Sequence, residues 1–245
     1  MAKHRFYIPS AQWDVQNLIL PEDEAHHCLD VMRCKEGDRI IVFNGEGSEA
    51  EAEITSANKR EVTLKTLRVV ETSGPPAEIT LGQAIPKGKN MDLIIQKATE
   101  LGVSKIVPLL STRTVVQLDG GDLEKKRQKW QRVAIEACKQ CGQNWLPRIE
   151  TPLSVEAFTK QKNDTFRLIA AISPEARSLK AIIGEVQPLP TQATLLIGPE
   201  GDFTPAEMSQ AAAEGFAALS LGPIILRSET AAIYALSIVG YELMG

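Results

Sequence analysis

The sequence predicts an α/β protein in two parts: a small, mostly antiparallel β-barrel, then a larger domain built on a largely parallel sheet with covering helices. Three observations carry this expectation. Before residue 73 the apolar residues fall in short, partly alternating runs separated by turn formers. After it, apolar runs alternate with stretches of helical spacing, the rhythm of strand–helix–strand crossovers. Between them stand Ser73, Gly74, Pro75 and Pro76, which suit neither a helix interior nor a central strand. The boundary is set there, giving domains 1–72 and 73–245.

In the first domain, Ala25, Cys28, Leu29 and Met32 recur at helical spacing and predict a helix over 22–33. Strands follow at 39–43, 51–54 and 61–67, turned by Asn44, Gly45, Glu46 and Gly47 and then by Asn58 and Lys59. In the second domain, strand-like runs at 79–85, 105–110, 166–172 and 194–197 alternate with helices at 91–101 and 122–141. The clearest helix start is Thr204, Pro205, Ala206 and Glu207, where hydroxyl and carboxylate satisfy orphan amides reciprocally and proline takes the first helical position. Gly215 stops that helix. A strand at 217–221 and a helix at 229–244 end the chain.

With 245 residues, 43% of them hydrophobic, the chain is long enough to bury a substantial core. It has no apolar run near the roughly 20 residues that span a bilayer and no apolar leader after its first residues, so a soluble cytoplasmic protein without membrane contact is expected. Cys28, Cys34, Cys138 and Cys141 are too few for a disulfide scaffold and are expected as reduced thiols. The net charge of −4 excludes a protein that coats nucleic acid by bulk electrostatics, but its distribution is uneven. Residues 73–150 carry 12 basic and 8 acidic groups, between flanks that are each net −4. RNA would have to be met locally, by groups such as Lys87, Lys89, Lys97, Arg113 and the run Lys125, Lys126, Arg127, although such a run also suits a solvated helix face.

Several motifs fail on their context. Gly45-x-Gly47-x-x-Ala50 fits a loose dinucleotide fingerprint but lies between two strands, so it offers no helix N-terminus to a pyrophosphate and reads as hairpin turns. Gly82 to Gly88 and Lys89 approximates a phosphate loop, one residue too long and with Asn90 in place of the metal-binding hydroxyl. Cys138 and Cys141 form a lone CxxC late in a helix and read as small packing residues rather than metal ligands; no metal is expected. His26 and His27 point about 100° apart on a helix and cannot easily share a metal. One packed and one exposed histidine is one reading; an RNA-facing imidazole beside Arg33 is the other.

The strongest functional signal is a pair of loops that each follow a strand and precede a helix, where parallel-sheet proteins bind ligands. The first is Leu196-Ile197-Gly198-Pro199-Glu200-Gly201-Asp202-Phe203; the second runs from Leu219 through Gly222, Pro223, Ile224, Ile225, Leu226 and Arg227 to Ala231, with Ser228 expected to cap the last helix. Glycines let a ligand approach the backbone, and a small-molecule site with Glu200, Arg227 and Glu229 as its polar centres is one expectation; two ordinary turns carrying a surface Glu and Arg are the other.

These loops resemble those of a known family. Gly-Pro-Glu-Gly-x-Phe followed by Leu-Gly-x-x-Ile-Leu-Arg-x-Glu-Thr-Ala is similar to the RsmE-type methyltransferases, SPOUT-superfamily enzymes that methylate uridine N3 in 16S rRNA. The resemblance extends over Arg5-Phe6-Tyr7, His26-His27 to Arg33, Phe43 to Gly47, Lys87-Gly88, Lys97 to Val103, Arg113 and Glu136 to Gln140. It implies a PUA-like β-barrel, an α/β domain with a C-terminal trefoil knot, and a homodimer. It also implies S-adenosyl-L-methionine as cofactor, held by Gly198, Pro199, Glu200 and Gly201 from the first loop and Leu221, Gly222, Ile225, Leu226 and Arg227 from the second. Three positions depart from the family pattern: Asp202 replaces a second glycine, while Ile224 and Gln143 stand where arginine is common.

Uracil N3 is a poor nucleophile until its proton leaves, so the reaction needs a base or a group that stabilises the uracil anion. Arg227 is the candidate for the second role and Glu200 a weaker candidate base. His27, Arg33, Lys87, Lys89 and Arg113 are the candidate contacts to small-subunit 16S rRNA. The alternative is a non-catalytic RNA-binding ribosome-assembly factor that keeps the fold; a hydrolase using Glu200 is a third reading, without an evident partner base or nucleophile.

Overall fold

The computed structural model describes residues 4–58, 61–114, 120–161 and 165–245. The chain divides into two compact units, Met1–Gly74 with Ile135–Leu146, and Pro75–Ala134 with Pro147–Gly245. The return of Ile135–Leu146 to the first unit departs from the expected domain 73–245: the cause is long-range pairing that local patterning does not encode.

The first unit contains β1 (Arg5–Tyr7), a 3-10 turn at Ser10–Gln12, β2 (Leu18–Ile19), α1 (Glu22–His26), a π-helical turn at His27–Val31, β3 (Arg39–Phe43), β4 (Ser48–Asn58) and β5 (Glu61–Glu71). Its sheet has the order β1-β3-β4-β5-β2, antiparallel except for the β1–β3 pair. No ladder joins β1 to β2 among the described residues, so the expected barrel is realised as a five-stranded sheet with open hydrogen-bonding edges. Alternate residues of β3 to β5, including Ile40, Val42, Ala50, Ala52, Ile54, Val62 and Leu64, turn inward and meet Phe6, Ile8, Leu18 and Cys28 in one core.

Glu22, Asp23 and Glu24 open α1, where acidic groups favour the helix dipole. The expected helix over 22–33 changes character after His26, because Met32 donates its amide to His27 at 2.9 Å, five residues back. Arg33 then takes a left-handed backbone with φ 57° and ends the turn.

Asn44 Oδ1 accepts the amides of Glu46 and Ser48 at 2.8 and 3.0 Å, which makes the β3–β4 connection the hairpin turn read from the sequence. Gly47 sits there at φ 98°, and a Cβ would meet Thr72 O and the Trp145 ring at 2.7 Å each. The second expected turn includes Lys59, outside the described residues. Residues 135–146 close this end: Asn144 Nδ2 donates to Thr72 Oγ1 at 2.9 Å, Trp145 Nε1 to Ser73 O at 3.0 Å, and Leu146 N to Gly45 O at 2.9 Å.

The second unit begins with β6 (Glu78–Ala84), α2 (Asn90–Glu100), β7 (Lys105–Leu110) and α3 (Gly120–Cys141), whose last turns belong to the first unit. It continues with β8 (Arg148–Ile149), β9 (Leu153–Ser154), α4 (Val155–Thr159), β10 (Phe166–Ala170) and α5 (Leu179–Ile183). Then come β11 (Gln192–Ile197), α6 (Pro205–Ala213), β12 (Ala217–Leu219) and α7 (Ser228–Met244). The sheet is parallel throughout, in the order β12-β10-β11-β6-β7-β8 with β9 also on β7. Near-continuous apolar strands such as Ile79, Leu81, Leu195 and Leu196 are buried, as a sheet covered on both faces requires. Gly82 is a packing position, since a Cβ would lie 2.5 Å from the Phe158 ring; that is its role, not phosphate binding.

Candidate functional site

Three adjacent strands, β12, β10 and β11, end at one place, and the segments leaving them line a cleft. About 600 Å³ of empty space, its open mouth included, lies between residues 170–172 after β10, the loop after β11 and the loop after β12. The sequence reading found the last two walls and missed Ala170, Ala171 and Ile172, whose only local signal is a strand that stops at Ser173 and Pro174.

The loop after β11 is fixed at both ends. Ile197 is buried, and further on Phe203 enters the core beside Ala84, Leu196 and Ala211. Between them Asp202 donates its amide to Pro199 O at 2.9 Å and accepts that of Phe203 on Oδ1 at 2.8 Å. This turn puts Asp202 at φ 60°, the left-handed region that glycine enters freely and aspartate tolerates. The departure from glycine therefore leaves the turn in place. Thr204 then caps α6 in the reciprocal arrangement expected, its hydroxyl accepting from Glu207 N while Glu207 accepts from Thr204 N.

One side chain of this loop reaches out to a neighbouring segment, and one reaches in from another. Glu200 accepts the backbone amide of Lys87 at 2.9 Å, which uses its carboxylate to hold the β6–α2 connection. Arg113 donates to Gly201 O and, at 3.4 Å, to Phe203 O. Both residues thus brace the loop.

The loop after β12 is more open. Gly222, at φ 103°, has nothing within 4 Å of the place a Cβ would take, and Ile224 and Ile225 are 75% and 77% exposed. Arg227 is the N-cap of α7, with an exposed guanidinium that has no hydrogen-bond partner among the described residues. The expected cap at Ser228 is corrected: Ser228 is the first residue of α7, and its hydroxyl donates to Gly198 O at 2.7 Å while accepting from Gln83 Nε2 at 3.0 Å. It is buried, and so joins the two loops rather than capping the helix.

Of the residues expected around a cofactor, Gly198, Pro199, Glu200, Leu221, Gly222, Ile225 and Leu226 line the cleft, with Asp202, Ile224 and Ser228 besides; Gly201 and Arg227 belong to the same loops without lining it. The walls offer the exposed apolar side chains of Ile224 and Ile225; Glu229, a polar centre expected from the sequence, does not line the cleft, and one of its carboxylate oxygens is buried without a partner among the described residues.

The expected RNA contacts separate. Lys87 and Lys89 are exposed in the second unit, and Arg113 is spent on the loop carbonyls. In the first unit Arg33 is exposed, whereas His27 packs edge-on to Phe6 and lies 3.1 Å by Nδ1 from Lys139 Nζ. Burial, then the Lys139 ammonium, hold the His27 pKa below its ordinary 6.5, so the ring is neutral with Nδ1 as acceptor. His26 is the exposed one of the pair and meets Asp30 at 2.6 Å. Cys138 is buried, its thiol pushed up to about 12 by burial, and Cys141 is exposed. Among the described residues no group of three or more His, Cys, Asp or Glu is placed to hold a metal.

Comparison with known proteins agrees with this architecture. Residues 73–240 match the RNA methyltransferase domain family, and residues 20–67 match the RNA methyltransferase PUA domain. The chain belongs to this family of RNA methyltransferases with a PUA domain. Among its relatives, ribosomal RNA small subunit methyltransferase E of Bacillus subtilis is 35% identical over 90% of this chain and 88% of its own length. The protein of that name from Synechocystis is 33% identical over 96% of this chain and 76% of its own. A solved Legionella pneumophila protein with bound cofactor SAM superposes with a TM-score of 0.90 at 34% identity, covering 99% of this chain and 98% of that one. Ribosomal RNA small subunit methyltransferase E from Neisseria gonorrhoeae, bound to S-adenosyl methionine, gives 0.87 at 31% identity, covering 98% of each chain.

Proposed function

We propose that this protein transfers a methyl group from S-adenosyl-L-methionine to N3 of one uridine in 16S rRNA, acting in the cytoplasm as a homodimer on the small ribosomal subunit. The observation that carries the reading is the cleft of two braced loops beyond β11 and β12, in a chain whose relatives of matching length are ribosomal RNA small subunit methyltransferases. In this reading the C-terminal segment forms a trefoil knot around the cleft. The first 72 residues supply an RNA-binding PUA-like domain built on the five-stranded sheet.

The residues suited to hold the cofactor are Gly198, Pro199, Glu200, Gly201, Leu221, Gly222, Ile225, Leu226 and Arg227, mostly through the main chain. When bound, the cofactor supplies an electrophilic methyl on a sulfonium. The protein's part is to orient the uracil, exclude water and stabilise charge. Arg227, exposed and without a partner among the described residues, donates to a uracil carbonyl as negative charge spreads onto oxygen. Glu200, engaged by the Lys87 amide, orders the loop and is the weaker candidate base. Lys87 and Lys89 meet phosphates beside the cleft, and His27 and Arg33 meet RNA from the first unit.

The deciding experiment incubates the protein with labelled cofactor and unmodified small subunits and maps the methylated nucleotide. Methyl on a uridine N3 supports the proposal, and cofactor binding without methyl transfer overturns it in favour of an assembly factor. Arg227→Ala is expected to bind cofactor normally and to lose turnover by about 10²-fold, in the range of one oxyanion-type donor. Unchanged turnover would remove Arg227 from the catalytic role.

A further inference from the structure

The geometry points to Gln83 as a positioning residue for the cleft, acting through Ser228 to fix the first carbonyl of the Gly198 loop. The inference rests on the reading of this cleft as the cofactor site. Gln83 is the penultimate residue of β6, fully buried, and does not line the cleft itself. Its Nε2 donates to Ser228 Oγ at 3.0 Å and to Ala84 O at 2.9 Å. Ser228 Oγ in turn donates its single proton to Gly198 O at 2.7 Å. The proton directions are forced: Ala84 O and a serine oxygen already committed as donor can only accept, so the amide must present its nitrogen to both. Three segments are thereby joined in one line, from the end of β6 to the start of α7 to the start of the loop after β11.

The amide oxygen shows what this arrangement costs. Gln83 Oε1 is buried and has no hydrogen-bond partner among the described residues. A side chain present only to fill the core would be replaced by an apolar one of the same volume, which carries no orphaned oxygen. A glutamine that leaves its own acceptor unmet in order to aim its nitrogen is explained by what the nitrogen holds. Gly198 O is held from one side by Ser228, and the turn from Pro199 to Asp202 follows directly from it. Slack in this line becomes slack in the loop that the cofactor must meet.

The test compares Gln83→Met, which keeps the volume and removes both donors, with Ser228→Ala, which removes the intermediate hydroxyl. Hydrogen exchange of the Asp202 and Phe203 amides is read in the ligand-free protein, and S-adenosyl-L-methionine affinity by calorimetry. Each variant is expected to speed exchange at these two amides several-fold, with protection in β7 and β10 unchanged, and to weaken cofactor binding by about ten-fold. The double variant is expected to be no worse than either single one, because both cut the same line. Unchanged loop exchange together with unchanged affinity overturns the proposal, as does loss of protection spread evenly over the sheet. Should Gln83→Met fail to fold, Ser228→Ala decides by loop exchange in the ligand-free protein, because Ser228 itself lines the cleft and its affinity also reports direct contact. If the unaltered protein binds no cofactor, the cofactor reading fails, while loop exchange still reports on the relay.

Discussion

Asp202 adopts the left-handed backbone that the loop demands, and its own carboxylate stabilises the conformation by accepting from Phe203 N. Asp202→Gly relieves the strain and loses that hydrogen bond, so its stability change is expected to lie within about 0.5 kcal/mol of zero. Asp202→Ala keeps the strain and loses the bond, and is expected to cost about 1–2 kcal/mol in urea unfolding. Equal effects from the two substitutions would show that backbone strain is not the governing term. At His27 the folded pKa lies below 6.5, so between the two values the unfolded chain binds more protons than the folded one. This group's contribution to stability is complete above the unfolded value and is lost as pH falls toward the folded one. NMR titration of the ring should give a midpoint below 6.5, with Nε2 carrying the proton in the neutral form.

Among the elements, α6 shows how far local sequence reaches. Thr204, Pro205 and Glu207 announce its start, and the structure has that cap in full. Thr204→Ala is expected to cost about 1 kcal/mol. Burial pushes the Glu207 carboxyl up, but hydrogen bonds from Thr204 and Thr112 outweigh it and leave the pKa below 4.5. Its stabilisation is therefore present above the unfolded value and lost as pH falls through the folded one; thermal melts should show Glu207→Gln to be less acid-sensitive in that window. The start of α7 was less legible: Ser228 looks like a cap, but a partner 145 residues away in sequence turns its hydroxyl inward. β1, β2, β8 and β9, of two or three residues each, are too short to display a period at all. They form because longer neighbours offer them an edge.

For the molecule as a whole, the two glycine-containing loops were legible because chain reversal at a strand end needs unusual residues. The third wall and the Gln83 relay were not, since both depend on strands paired out of sequence order. The distribution of cations makes a further distinction. Lys87 and Lys89 are free to meet phosphate, so replacing both with alanine is expected to flatten the slope of log affinity against log salt for RNA by roughly 1 to 2. Arg113 holds loop carbonyls, so Arg113→Ala is expected to weaken cofactor binding more than it alters that slope. The reverse pattern in filter-binding and calorimetric measurements would exchange their roles.

The return of residues 135–146 to the first unit also sets an order of synthesis. A ribosome that has released only Met1–Gly74 has made every strand of that unit's sheet, but not the Asn144, Trp145 and Leu146 groups that meet Thr72, Ser73 and Gly45. The first unit must wait, incomplete, from residue 74 until residue 146 has been added, and completes only after the strands β6 and β7 of the other unit have emerged. Residues 1–74 expressed alone should accordingly be less stable to denaturant than the same segment in the full chain, and nascent chains arrested before residue 146 should remain open to proteases at the β3–β4 hairpin.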